Sequence, residues 1–409
     1  MRRVVVKFGG TSVGNADRIR LGAKSISAEY RRGTQIAVVV SAMGHYTDEL
    51  VKAARDSTQG SIDPKDYDDI LAMGERTSAR IFSAALKSLG VKSVYIDPAM
   101  ESWPVITDSN FGMANIDFEA TRERVQKFIV PLLEDGVVPV ICGFLGRDRE
   151  GNVTTIGRGG SDITAFLIGR CLKADEVIIV TDVEGVMTAD PNRVAGAKLL
   201  KSITVEEMTD LARFGAQVMH PRAMAYKDPE ISAKVIHYRH GNLHVSGTKI
   251  IGPRGDNLAN VRLHEKPLAM LTIVGESMQT TPGILAKFST PLSKARINIY
   301  AVSIGPRSFS IYLAEEDAKR AMTILHRVVV GSKLKAITSE GNIAMIVAES
   351  ERFIYAPGVI AKLTEPLAQA KINIIEIISS RASISFFVNW EVREQALKLF
   401  KKAMEEIEG

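Results

Sequence analysis

The sequence predicts a mostly parallel α/β domain followed by a small α+β unit present twice. Three observations carry this. Up to about residue 262, short continuous apolar runs alternate with longer segments of helical spacing. Beyond it that texture is lost. The tail then repeats itself: "TPGILAKFSTPLSKARINI" (281–299) returns as "APGVIAKLTEPLAQAKINI" (356–374), an offset of 75 residues from 281 to 356. At 409 residues the chain has room for two or three domains, each with its own core.

The runs "VVVKF" (4–8), "IAVVV" (36–40), "SVYI" (93–96), "VVPVI" (137–141) and "EVIIVT" (176–181) read as strands. They are continuous rather than alternating, as strands covered on both faces are, and segments 16–32, 75–90 and 117–134 between them have helical spacing. Ligands in such sheets bind at the carboxyl ends of the strands, so the residues just after each run matter most. The Gly-rich stretch 240–257 reads as a closing loop whose histidines lack ligand spacing. In the tail each copy reads strand, helix starting at Pro-Gly, strand "INI", strand, helix, with Pro291 and Pro366 expected to kink or shorten the first helix.

Composition narrows the function classes. Hydrophobic residues at 45% and charged residues at 24% describe an ordinary globular protein, and the net charge of +5 is interspersed, without the Lys/Arg block of a nucleic-acid binder. Cys142 and Cys171 lie in apolar stretches and read as reduced, buried thiols. No apolar run reaches the ~18 residues that a bilayer requires, and Met1-Arg2-Arg3 leads into a strand rather than a signal sequence, so the expectation is a cytoplasmic protein without nucleic-acid or membrane partners.

Two stretches carry chemistry. In "KFGGTSVG" (7–14) a strand ends in a glycine-rich turn before a helix, where backbone N–H groups and a helix N-terminus favour an anion. Gly9 and Gly10 permit close approach to phosphate, Thr11 and Ser12 add hydroxyl donors, and Lys7 can reach a phosphoryl group from the strand end. Taken alone, Lys7 reads equally well as a strand-end lysine extending to solvent. "TTIGRGGSDITA" (154–165) settles the balance: Arg158 suits bidentate capture of a carboxylate or phosphate, with Ser161 and Asp162 at the expected N-cap of an apolar helix. Two glycine-rich anion loops in one α/β domain are hard to explain as turns.

With "GERTSA" (74–79) and "TDVEGVMTADPN" (181–192), these motifs resemble the aspartate kinases of the amino-acid kinase superfamily, and the duplicated tail resembles their tandem ACT domains. The resemblance implies a three-layer α/β/α kinase domain over 1–262 and α+β ACT domains over 266–338 and 342–409. It implies transfer of the ATP γ-phosphate to the side chain of L-aspartate, with Mg2+, as the first step of lysine, threonine and methionine biosynthesis. Lys7 and Asp162 would be catalytic. Thr47, Glu75, Arg158 and Ser161 would hold aspartate, although Glu75 alone reads as an exposed residue in a helix's first turn. The nucleotide would lie against Lys7, Phe8, Gly9, Gly10, Ser41, Thr181, Asp182, Met187 and Gln217. Asn298 and Asn373 would face an amino-acid effector, and the chain would form a homodimer or higher homo-oligomer through the ACT pair. A carboxylate nucleophile is already ionised at neutral pH, so no general base is needed.

The sequence departs from the family at Met187 (usually Tyr), Asn192 (often Arg) and Gln217 (usually Lys), which implies weaker ATP binding and tolerance of GTP. Tyr300 and Ile375 replace an acidic residue that follows "INI" in many members, which implies weak feedback by lysine or threonine. Two other readings stand beside the kinase: a non-catalytic amino-acid sensor, and a kinase of another small acid such as glutamate.

Overall fold

The structure is a computed structural model that describes the chain except residues 192, 214–218, 253–259, 277–280, 333, 355 and 409 and the side chains of 213, 351 and 408. The chain divides into two compact units, Met1–Asp256 and Asn257–Gly409.

The first unit runs β1 (Arg3–Phe8), α1 (Ala16–Tyr30), β2 (Gln35–Val40), α2 (Tyr46–Thr58), α3 (Pro64–Ser88) and β3 (Ser93–Ile96). It continues through α4 (Phe118–Arg124), α5 (Val130–Glu134), β4 (Val138–Cys142), β5 (Leu145–Arg147), β6 (Val153–Thr155) and α6 (Gly160–Leu172). β7 (Glu176–Thr181), β8 (Ser202–Thr204), α7 (Val205–Arg213), α8 (Pro221–Met224), β9 (Ser232–His237) and β10 (Thr248–Ile251) complete it. An eight-stranded sheet has the order β3-β4-β2-β1-β7-β9-β10-β8 and is parallel except between β9 and β10. The five strands expected from continuous apolar runs are its centre and one edge. The three others lack that signature; β10, inside the stretch expected to be a closing loop, alternates buried and exposed residues.

Strand parity sets the layers. Val4, Val6 and Phe8 face one side of β1, Val5 and Lys7 the other. On the Phe8 side, α1 and α3 close in: a Cβ on Gly22 would lie 3.0 Å from the Phe8 ring and 3.2 Å from that of Phe82. On the other side lies α6, where a Cβ on Gly169 would lie 2.6 Å from Val177, with Val5 beyond it. Apart from Arg170, α6 is buried along almost all of its length, which explains its apolar sequence. The segment expected as one helix over 117–134 is interrupted by a π turn at Val125–Ile129. Pro131, which has no N–H to donate, follows after Val130.

The second unit contains β11 (Asn260–Leu263), β12 (Leu268–Val274), α9 (Ile284–Lys294), β13 (Ala301–Ile304), β14 (Ser308–Ala314) and α10 (Ala318–Val330). Then come β15 (Ala336–Glu349), α11 (Val359–Gln369), β16 (Ile374–Ser379), β17 (Ser383–Asn389) and α12 (Arg393–Glu408). The antiparallel order is β13-β14-β12-β15-β17-β16, with β11 added on β15. The 14-residue β15 serves both copies: its first part pairs with β12, its second with β11 and β17. Residues 260–262, placed by the sequence reading at the end of the kinase domain, therefore pair within the second unit.

Two tail expectations change. "INI" at 297–299 is irregular backbone before β13, and in the second copy β16 begins only at Ile374. In both copies a left-handed residue, Arg296 (φ 56°) or Lys371 (φ 57°), precedes it and delays the strand. Pro291 and Pro366 lie inside α9 and α11, which each end three residues later. The repeats also fold onto each other. Tyr312 of β14 and Phe387 of β17 stack with ring centroids 3.9 Å apart, although β12 and β15 separate their strands in the sheet order. Leu268 and Ile343 join them in a fully buried cluster, and Tyr312 Oη donates to Glu376 Oε2 at 2.5 Å. The sheet thus doubles over near Asn342 (φ 59°), burying the faces opposite the helices.

Phe387→Ala should destabilise the tail by about 3–5 kcal/mol, because it empties the centre of that cluster. Denaturant unfolding followed by near-UV circular dichroism would read this, and a loss below ~1 kcal/mol would contradict face-to-face packing.

Candidate active site

Lys7 sits at the seam of sheet and helix because parity points it toward α6. Asp162, two helical turns before Gly169, lies on the same face of α6. Lys7 Nζ meets Asp162 Oδ1 at 2.6 Å, with side-chain exposures of 10% and 11%. That oxygen accepts nothing else. The expected N-cap role of Ser161 and Asp162 is not what is found: α6 is capped by Gly159 in the left-handed region (φ 74°), with no side-chain cap. Asp162 lies inside the first turn, where the helix dipole favours a carboxylate, and its charge goes to Lys7.

The glycine turn after β1 is held by its neighbours. Gly9 N–H donates to Val180 O at 3.0 Å, and Ser12 Oγ donates to the same carbonyl at 3.1 Å. The buried Ser12 hydroxyl is therefore engaged with β7, and Thr11 is the exposed hydroxyl of the pair. Gly10 is required by close approach: a Cβ there would lie 3.0 Å from Ala42 O, while Gly44 N–H donates to Gly10 O. This interlocks the turn after β1 with the loop after β2.

Glu75 is not an exposed first-turn residue. Its helix, α3, begins at Pro64, and Gly74 lets it press on the β2 loop, since a Cβ at 74 would lie 2.7 Å from Ala42 Cβ. Glu75 is 4% exposed; Oε1 accepts from Ala42 N–H at 3.0 Å and Oε2 has no partner. Burial pushes its carboxyl up to about 7, against the smaller opposing effects of the Ala42 bond and the Lys7 charge. Another α3 carboxylate, Asp68, is fully buried and accepts from Gly112 N–H, Thr155 N–H and Thr155 Oγ1, joining the helix to β6 just before the Arg158 loop.

These elements enclose a pocket of about 270 Å³ beyond the carboxyl ends of β1 and β2. Lys7, Gly10, Ser41, Thr47, Glu75, Arg158, Ser161 and Asp162 all line it. Arg158 is exposed and has no ion-pair partner among the described residues. Sequence reasoning missed Ala42, Gly44 and Phe144 on the wall. Phe144 adopts φ 68°, unusual for a bulky residue, and nothing in its type announces that.

Other predicted residues lie apart. Phe8 buries its ring in the core 5.0 Å from Phe82 and offers only its carbonyl, which accepts from Ser41 N–H. Thr181 ends β7 and Asp182 follows it, with Thr181 Oγ1 donating to Asp182 Oδ1 at 3.2 Å. Met187 is half-buried and bridges to Leu199; Asn192 and Gln217 fall outside the described residues. Asn298 and Asn373 are exposed in the second unit. The histidines of 240–257 have acidic partners: His240 meets Glu184 at 2.7 Å and His244 meets Glu29 at 2.6 Å.

Residues 2–237 match the amino acid kinase family, and residues 263–327 and 338–402 each match the ACT domain. The chain is 32% identical to an aspartokinase of Bacillus sp. strain MGA3, over 99% of this chain and 98% of that one. The chain belongs to the aspartokinase family. An aspartokinase of Thermus thermophilus is likewise 32% identical, over 99% of both chains. Among solved aspartokinases, the aspartate kinase from Synechocystis superimposes with a TM-score of 0.82 at 27% identity, covering 98% of this chain and 69% of that one. No helix among the described residues is long and apolar enough to cross a membrane.

The Glu75 carboxyl titrates near 7 in the fold against 4.5 unfolded, so the fold favours its protonated form. The stability this contributes is complete below pH 4.5 and is lost as pH rises through 7. Ligand-free Glu75→Gln should therefore be more stable than the parent at pH 8, by about 3 kcal/mol, and indistinguishable from it near pH 4.5. Urea unfolding at both pH values would read the difference; a pH-independent gap would contradict it.

Proposed function

We propose that this aspartokinase transfers the γ-phosphoryl group of ATP to the side-chain carboxylate of L-aspartate, giving 4-aspartyl phosphate and ADP. The observation that carries this reading is one pocket holding a buried Lys7–Asp162 ion pair, a Glu75 oxygen without a partner, and Arg158, which no described carboxylate engages. Glu75 Oε2 suits the substrate ammonium, Arg158 with Ser161 and Thr47 its carboxylates, and the glycine turn with Ser41 the phosphate oxygens. In the step, an aspartate oxygen forms the new bond to the γ-phosphorus while the bond to the bridging oxygen breaks, and that electron pair leaves on ADP. The task is to bring two anions together and spread charge, which positioned cations and backbone N–H groups accomplish. Asp162 keeps Lys7 aimed at the transferring group.

No group of three His, Cys, Asp or Glu suited to a metal occurs among the described residues; in this proposal Mg2+ would be held chiefly by nucleotide phosphates and water. When bound, it would neutralise phosphate charge. The nucleotide would extend toward Thr181, Asp182 and Met187. A solved Escherichia coli aspartokinase III, alike in fold at TM-score 0.55 and 24% identity, holds aspartate and ADP. The tail reading is an ACT pair that forms the oligomer, with Asn298 and Asn373 facing any amino-acid effector. Glu376, the acidic side chain nearest the missing position, is bonded to Tyr312, which supports weak feedback. The product would enter lysine, threonine and methionine biosynthesis.

A hydroxamate assay with aspartate, glutamate and other small acids tests the reaction; preference for glutamate would contradict it, since one methylene alters selectivity by only ~1–3 kcal/mol. In the same assay Lys7→Ala should lower kcat by at least ~100-fold with little change in aspartate KM, and Arg158→Ala should raise that KM at least ~10-fold. Parental turnover in Lys7→Ala would refute its role.

A further inference from the structure

We infer that His220 and Arg222 are positioning residues for the substrate loop 156–160, an assignment that rests on reading Arg158 as the substrate's carboxylate contact. Within itself the loop is closed by one turn bond around Arg158, Gly160 N–H donating to Gly157 O at 3.0 Å. Arg158 stands between Gly157 (φ 79°) and Gly159 (φ 74°), and glycines in that region leave the unclamped backbone many alternatives. Among the described residues Arg158 has no ion pair to fix it. Its placement therefore depends on that single turn bond and on contacts to the backbone on either side.

Those contacts arrive from two directions. From the sheet side, Ile156 N–H donates to Phe144 O at 3.0 Å, and a Cβ on Gly160 would lie 2.7 Å from the Phe144 ring. From behind, Arg222 Nη1 donates to Ile156 O at 2.9 Å, so one buried peptide neighbourhood is pinned at both N–H and C=O. The same guanidinium nitrogen lies 3.1 Å from where a Gly157 Cβ would be. His220 covers the other glycine: a Cβ on Gly159 would overlap its side chain. His220 is itself fixed as the N-cap of α8, where Nδ1 accepts from Arg222 N–H, and α8 packs on α6. The half-buried pair thus grips the backbone on both sides of Arg158 without lining the pocket.

Loss of this grip should blur where Arg158 stands while leaving Lys7 and Asp162, which are set by β1 and α6, in place. The consequence is a defect in aspartate binding rather than in phosphoryl transfer or nucleotide binding. Steady-state kinetics of the full chain would compare Arg222→Gln, Arg222→Lys and His220→Ala with the parent. Arg222→Gln and His220→Ala should raise aspartate KM by about 10-fold, with kcat and ATP KM within about threefold. Arg222→Lys, which keeps one donor for Ile156 O, should recover part of the loss. Hydrogen exchange supplies a readout independent of turnover: Arg222→Gln should speed exchange in the peptide spanning 156–162 by at least ~10-fold and leave the β1 peptide unchanged. Unchanged aspartate KM in both variants, an equal rise in ATP KM, or unaltered exchange in that peptide would overturn the assignment. A parent that does not phosphorylate aspartate would instead refute the reaction, and the exchange result would still decide whether the pair grips the loop.

Discussion

The ion pair between Lys7 and Asp162 is the constraint around which the first unit is arranged. A lysine near the end of a strand buried on both faces is expensive, and a buried pair is weak evidence for stability because desolvation offsets its attraction. Its presence is better explained by position. β1 points Lys7 to the α6 face, Gly169 lets α6 settle onto Val177 and Val5, and Asp162 then falls opposite the lysine two turns earlier. The left-handed cap at Gly159 completes the arrangement, since it leaves Asp162 free of the capping bond that a residue of its type commonly makes.

Around that pair the fold leaves polar groups unfinished. Glu75 Oε2 is buried without a partner, Arg158 meets no carboxylate among the described residues, and Phe144 sits in the left-handed region. The buried Glu75 oxygen and the left-handed Phe144 cost stability in the ligand-free protein, exposed Arg158 does not, and all three line the same pocket. On the proposed reading, a zwitterionic dicarboxylate would bring an ammonium for Glu75 and carboxylates for Arg158. Binding and stability therefore oppose each other at this site, as is usual where groups are held ready for a partner.

The parts legible in the sequence were those with a local signature. Central strands announced themselves as continuous apolar runs, and the two glycine loops as glycines beside Lys7 and Arg158. Parts that depend on distant packing were not legible. The helical spacing over 75–90 puts Glu75 at a helix start, whereas α3 begins at Pro64, in the weakly contrasted "PKDYDDIL", and carries Glu75 to its middle. Ser12 reads as a hydroxyl donor and the resemblance implies Phe8 at the nucleotide, but β7 engages the Ser12 hydroxyl and strand parity turns the Phe8 ring into the core. The 75-residue repeat revealed two copies, but not that Tyr312 and Phe387 would stack between them, because pairing across a folded sheet leaves no periodicity.

The dependence of Lys7 on Asp162 is most directly tested by a double-mutant cycle on kcat with Lys7→Met, Asp162→Asn and the double variant. If Asp162 acts by holding Lys7, the double variant should be no slower than the slower single one, within about threefold. Multiplicative losses would show that the two residues act independently and would contradict the account.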